Sequence, residues 1–186
     1  MSAADQAALL RTAELHRSLA RAAALARANA TGYVIFGGLS MFVAAPGLDV
    51  LGLAIGALVT GVGVAQLRAA AGLQRAEARA PRALARNELV LMGGIVVYCV
   101  LQLTVFRTSS AELEKQVGAL GDLGLDVDFD ELADAFTTTL YCAFLLVTLV
   151  YQGGMALYFR RRGPMVASYL AESPAWARTT VETLRT

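Results

Sequence analysis

The stretch AFTTTLYCAFLLVTLVYQGGMALYF, residues 135–159, decides the fold, because it contains no Asp, Glu, Lys, Arg or His. About 20 residues at 1.5 Å rise cross the roughly 30 Å hydrocarbon core of a bilayer as a helix. A soluble helical bundle would bring a charged face round with every turn, and here none comes. Three further windows share the property, 28–48, 50–67 and 89–106, each set between densely charged segments. The sequence therefore predicts an all-α, polytopic membrane protein. It is expected to be a four-transmembrane-helix bundle with spans at about 28–45, 50–67, 89–106 and 135–159. The membrane domain would cover 28–162, with a cytoplasmic amphipathic helix at 1–27 and a cytoplasmic helical tail at 163–186.

Composition agrees: 56% of residues are hydrophobic, 17% are charged and mean hydropathy is +0.54. A soluble domain carries about 25% charged residues. The formal net charge of +1 hides a strong asymmetry. Segments 1–27, 68–88 and 160–186 hold fourteen Arg and six Asp or Glu, a net +8. Asp49 and segment 107–134 contribute nine acidic residues against Arg107 and Lys115, a net −7. Short basic loops stay on the cytoplasmic side, so both termini and the 68–88 loop are expected inside, with 107–134 outside. Residues 1–27 lack the sustained apolar run of a cleavable signal peptide, although Ala28-Asn29-Ala30 has the A-x-A form. Fifteen Arg against one Lys suggests a GC-rich bacterial genome, and hence a bacterial inner membrane.

Along the chain, Ala8, Leu15, Leu19, Ala22 and Ala26 share one helical face, opposite Arg17, Arg21 and Arg27. This helix either lies on the inner leaflet or extends the first span into the cytosol. His16, the only histidine, is read as a surface residue beside that polar face. Pro46-Gly47 stops span 1, and so short a link makes spans 1 and 2 an antiparallel hairpin. Span 2 is expected to continue as helix toward Ala80, with Pro81 as the break, and span 3 to begin near Arg86. Ser109-x-x-Glu112 is a capping box for an outer helix near 110–120 ending at Gly121. Asp128-x-x-Glu131 opens a second helix, expected to run through span 4 to Arg162. Gly163-Pro164 would end it, and Ser173-Pro174 would start a last helix ending near Leu184.

Apolar helices have no hydrophobic reason to associate in lipid, so small residues and hydrogen bonds must hold them. Gly52, Gly56, Thr60 and Gly63 form a small face on span 2, and Gly37, Ser40 and Ala44 answer it on span 1. These faces are expected to meet within the hairpin or against another subunit. Thr137, Tyr141, Thr148 and Gln152 make a polar stripe on span 4, and Tyr98 and Gln102 lie one turn apart on span 3. Such groups must face protein or water, as buried packing or as the lining of a pore. No ionisable side chain other than Tyr or Cys lies in any of the four spans, which speaks against a proton-coupled transporter.

Cys99 and Cys142 fall at similar depth below the outer surface and are read as small packing residues; there is no C-x-x-C. Asp126, Asp128 and Asp130 alternate, but an EF-hand needs Gly where Glu131 stands and Glu where Thr137 stands. They are expected to be a solvated acidic cap, with no metal site. Gly61-x-Gly63 lies inside a span, so it is no nucleotide loop. Arg160, Arg161 and Arg162 anchor the topology and hold anionic lipid headgroups. Tyr151 and Tyr158 sit near the same boundary, and Trp176 docks on membrane, chain or partner. No catalytic residue and no cofactor is expected: the inner acidic residues Asp5, Glu14, Glu77, Glu88, Glu172 and Glu182 are scattered among Arg. The bilayer is the expected partner and nucleic acid is not. The functional expectation is a non-enzymatic assembly protein, working as a homo-oligomer or as a subunit of a membrane complex. The alternative is an oligomeric cation channel with an acidic outer vestibule.

Overall fold

The computed structural model describes residues 2–104 and 129–183, with backbone alone for 129–133 and 182. Every element among the described residues is a helix: α1 (Ala3–Ala44), α2 (Val50–Gln74), α3 (Ala80–Thr104), α4 (Phe129–Arg160), α5 (Gly163–Glu172) and α6 (Ala175–Thr183). The expected outer helix near 110–120, its capping box and Asp128-x-x-Glu131 lie wholly or partly outside the described residues.

Three stretches are long and apolar enough to cross a membrane: Val50–Gln74, Ala80–Thr104, and Asp134–Glu172, which α4 and α5 share. The first helix is not among them. Beyond Arg27 it opens on Asn29, Thr31, Gly32 and Tyr33 and stops at Ala44, so the mostly apolar run from Val34, interrupted by Ser40, is only about 16 Å long.

α1 is a single 42-residue rod, about 63 Å long, so the basic N-terminal segment and the first apolar window are one helix. Ser2 and Asp5 close a capping box at its start: Ser2 N–H donates to the Asp5 carboxylate at 2.8 Å, and Asp5 N–H donates to Ser2 Oγ at 3.2 Å. Pro46 cannot extend the helix, Leu48 takes a left-handed φ of 50°, and Asp49 caps α2 by accepting from Gly52 N–H at 3.0 Å. The expected hairpin is there.

Two expected ends move. α2 stops at Gln74, before Ala80, in a Schellman turn: Glu77 N–H donates to Gly72 O and Ala76 N–H to Leu73 O. Ala76 supplies the left-handed residue, φ 54°, that glycine usually provides. Pro81 therefore does not break α2; it sits in the first turn of α3, where its missing N–H costs nothing. Likewise α4 ends at Arg160, and Gly163-Pro164 opens α5 instead of closing α4. The reason is the same, since proline suits a first turn as well as it suits a stop. The last helix starts after Ser173-Pro174 as expected.

α1 packs along α2, α2 against α3, and α3 against α4, while the basic half of α1 meets α5 and α6. The apolar core sits at one end of this arc. Leu15, Leu19 and Ala23 of α1, Leu73 of α2, Leu84 of α3, Phe159 of α4 and Tyr169 of α5 belong to one cluster, flanked by the arginine-rich segments. At the other end large apolar side chains are exposed, including Phe42 (77%), Val43 (70%) and Phe136 (62%). The division is physical. In water, burying a Leu or Phe contributes about 1.5–3 kcal/mol, whereas hydrocarbon surroundings remove that gain and leave close backbone packing to hold helices together.

Candidate functional site

Glu88 is the one buried acidic or basic side chain among the described residues, at 0% exposure. It lies about two turns into α3, on the face that also buries Leu84 and Leu91. The expectation of spans free of Asp, Glu, Lys, Arg and His covers 89–106 and so does not include Glu88. Glu88 falls one residue short of the charge-free window, but the helix that carries it begins at Ala80 and is one of the three apolar enough to cross a membrane.

Four helices build its surroundings. Gln66 of α2, also fully buried, donates from Nε2 to Glu88 Oε1 at 2.7 Å. Tyr33 of α1 places its hydroxyl 3.0 Å from Glu88 Oε2 and 3.1 Å from Gln152 Oε1 of α4, with one proton to donate to the two acceptors. Asn29, one turn before Tyr33, lies beside the carboxyl, with its Nδ2 buried and short of a formed bond. Its Oδ1 accepts from the Tyr151 hydroxyl at 3.0 Å. Gln66 Oε1 is buried with no partner. No ion pair reaches Glu88 among the described residues, whose salt bridges are the exposed pairs Arg11–Glu14, Arg11–Glu172 and Arg75–Glu77.

The polar stripe leads away from this cluster. Gln152 and Thr148 are buried at 5% exposure each, and Thr137 and Tyr141 are half-buried. Tyr141 meets Tyr98 of α3 edge-on at 6.2 Å, and Gln102 donates from Nε2 to the Tyr98 hydroxyl at 3.3 Å. From Glu88 to Gln102 the track follows α3 for about 21 Å. At Gln152, Tyr141 and Tyr98 it turns to the chain's own α1, α3 and α4.

The small-residue faces meet inside the hairpin. A Cβ on Gly37 would stand 2.5 Å from Thr60 Oγ1 and 2.8 Å from Gly56 O, and one on Gly63 would stand 3.0 Å from Ala30 O. A Cβ on Gly52 would meet Asp49 and, at 3.0 Å, Ala44. Ser40 sits beside this seam in an open groove of about 480 Å³, lined also by Phe36, Val43, Gly47, Gly52 and Tyr98.

The basic triplet divides. Arg162 turns inward, donating to Ser18 Oγ of α1 at 3.0 Å with its guanidinium 4.5 Å from the centre of the Tyr158 ring. Arg161 stays exposed. Arg160 joins Arg79, Arg82 and Arg86 around a groove of about 780 Å³ that also touches Leu89 and Pro164. Cys99 is buried and Cys142 exposed, both as free thiols, so only Cys99 is a packing residue. His16 is partly covered and lies 6.0 Å from the Tyr169 ring. Asp126 and Asp128 lie outside the described residues, and Asp130 is in the first turn of α4.

Sequence reading reached Gln152 but missed Glu88, Gln66, Tyr33 and Asn29. The helical phase could have found two of them. Gln66 continues the Gly56–Gly63 face by one turn, and Glu88 stands between Leu84 and Leu91 on the apolar stripe of α3. Chemically the cluster can bind or hold a positive charge, but it offers no nucleophile paired with a base and no donor set for transition-metal chemistry. Compared with protein-family models, with characterised proteins and with solved structures, the chain matches none.

Proposed function

We propose that this chain is a four-span protein of a bacterial inner membrane, with both termini in the cytoplasm, that works without catalysis as a homo-oligomer or as a subunit of a membrane complex. One observation carries the reading. The groove beside the α1–α2 hairpin is floored by Ser40, Ala44, Gly47 and Gly52 and walled by exposed Phe36 and Val43. Small floors of this kind let a further helix approach closely, which is how helices associate where hydrophobic burial cannot drive them. The first span then gains from a neighbouring helix the apolar cover that its own short apolar run lacks.

Native mass spectrometry of the full chain released from nanodiscs tests this reading. A defined oligomer or a stoichiometric complex is expected, lost on Ser40→Phe. A monomer with no co-purifying partner would sink it. Cysteine-accessibility labelling tests the topology: positions 70–80 should label from the cytoplasm alone, and 110–133 from outside.

A second reading, cation conduction, is favoured by the polar track from Gln102 through Tyr98, Tyr141 and Gln152 to Glu88. The route would then run within each chain, fed by the acidic segment holding Asp126, Asp128 and Asp130, instead of around a shared axis. Planar-bilayer recordings decide it. Cation-selective current, reduced at low salt by neutralising those three residues, is expected; electrical silence removes it.

A further inference from the structure

The buried cluster around Glu88 leaves two polar atoms unpaired, the acceptor Gln66 Oε1 and the donor Asn29 Nδ2, and holds a carboxyl with no cation beside it. Its acceptors are both carboxyl oxygens, Gln66 Oε1 and Gln152 Oε1, and Gln66 Oε1 has no partner at all despite full burial of its side chain. Facing them are the Gln66 and Asn29 amide groups and the single hydroxyl proton of Tyr33, which stands between Glu88 and Gln152. The groups that face Glu88 are few. α1 presents Asn29 and Tyr33, α2 presents Gln66, and α4 presents Gln152, with Tyr151 behind Asn29. On α3 itself Arg82 and Arg86 are exposed, and neither forms an ion pair with Glu88. A carboxylate taken out of water without a positive partner is costly, and each of α1, α2, α3 and α4 contributes an oxygen or amide to the place where that partner is missing.

We infer that Glu88, Tyr33, Gln66 and Gln152 form a binding site for one small monovalent cation, a proton or a sodium ion. The two share the same chemistry, a single positive charge held among hard oxygens. A proton from water settles on Glu88 Oε2, which then donates to the Tyr33 oxygen. The Tyr33 hydroxyl is freed to donate to Gln152 Oε1, and the chain of bonds is complete. A sodium ion instead draws on a carboxyl oxygen, the Tyr33 hydroxyl oxygen, Gln152 Oε1 and the unused Gln66 Oε1, the oxygen-only set that hard cations select. In both cases the ligand occupies the join of α1, α2, α3 and α4, so its presence fixes how the four helices close. The site stands independently of the assembly reading, because each of its groups comes from one chain.

Dicyclohexylcarbodiimide, which attacks neutral carboxyls in apolar surroundings, tests the site on the intact protein in nanodiscs, with intact-mass readout. Infrared difference spectroscopy of the carboxyl band serves as a second measurement. One adduct per chain is expected in the wild type at neutral pH and none at that position in Glu88→Gln. If the ligand is sodium, sodium chloride slows labelling about tenfold and potassium chloride does not, and Tyr33→Phe, which keeps the carboxyl, weakens that protection. If the ligand is a proton, labelling ignores sodium, and both labelling and the carboxyl band follow pH. The proposal is overturned if labelling and band are indifferent to sodium and to pH between about 5 and 9, or if Glu88→Gln is labelled as fast as the wild type. Failure of the assembly reading would instead be seen as a monomer in the mass spectrum, with this labelling unchanged.

Discussion

Gly37 and Thr60 face each other so closely that a methyl group added to Gly37 would lie 2.5 Å from Thr60 Oγ1 and 2.7 Å from its backbone nitrogen. The α1–α2 hairpin is thus set by backbone approaching backbone. Gly37→Ala forces the helices apart, at a cost of about 1–3 kcal/mol. The neighbouring Gly38 meets nothing within 4 Å, so Gly38→Ala gains up to about 1 kcal/mol of helix propensity. Thermal unfolding in detergent, compared for the two variants, should move in opposite directions. Equal shifts would show that this seam does not hold the hairpin.

Phe159 and Phe42 are the same residue type at opposite ends of the arc, one fully buried and the other 77% exposed. Phe159→Ala empties the cluster shared with Leu73 and Leu84 and should cost about 3–5 kcal/mol. Phe42→Ala removes a side chain that touches little of the chain, and in a single subunit should stay within about 0.5 kcal/mol. Chemical unfolding of both variants checks where the core lies. A larger loss at Phe42 would move the core to the other end.

Helix positions were legible in the sequence because charge-free windows and Pro-Gly punctuation are local signals. The direction in which proline punctuates is not legible in the same way: Pro81 and Pro164 open helices, although the residue alone fits a stop equally well. The small-residue faces were legible by their spacing, but that they meet each other within the hairpin comes from the packing of α1 on α2. Glu88 could not be found by a window that admits no charge, since its burial comes from Tyr33, Gln66 and Gln152 on three other helices. The inward turn of Arg162 toward Ser18, 144 residues away, is equally a matter of tertiary packing.

Asp5 tests the first turn of α1. The Ser2 backbone N–H, and after it the Ser2 hydroxyl, holds this carboxyl below its ordinary 3.8. A group depressed in the folded state contributes stability above its unfolded value and loses it as pH falls through the folded one. The protection factors of the Asp5 and Gln6 amides, corrected for the intrinsic exchange rate at each pH, should therefore be flat near neutrality and fall only below about pH 4. Asp5→Asn should exchange faster at neutral pH and lose that acid step. The effect stays local, because the carboxyl is fully exposed.

Arg79, Arg82, Arg86 and Arg160 surround one groove, and none of them forms an ion pair with another described residue. Leu89, 49% exposed, continues its wall along α3 with apolar surface. Guanidinium groups at one end and apolar surface at the other suit an anionic phospholipid, phosphate against Arg and acyl chain against the helix. Native mass spectrometry with mixed phosphatidylglycerol and phosphatidylcholine should show the anionic lipid retained preferentially. Replacing the four Arg by Gln should abolish the preference without changing helicity. Arg162→Gln is the control, since its guanidinium is committed to Ser18 and Tyr158. It should leave lipid selectivity intact and instead speed proteolysis between α4 and α5, by loosening the tie to α1. If Arg162→Gln removed the lipid preference and the fourfold variant did not, the headgroup would sit at the triplet and not in the groove.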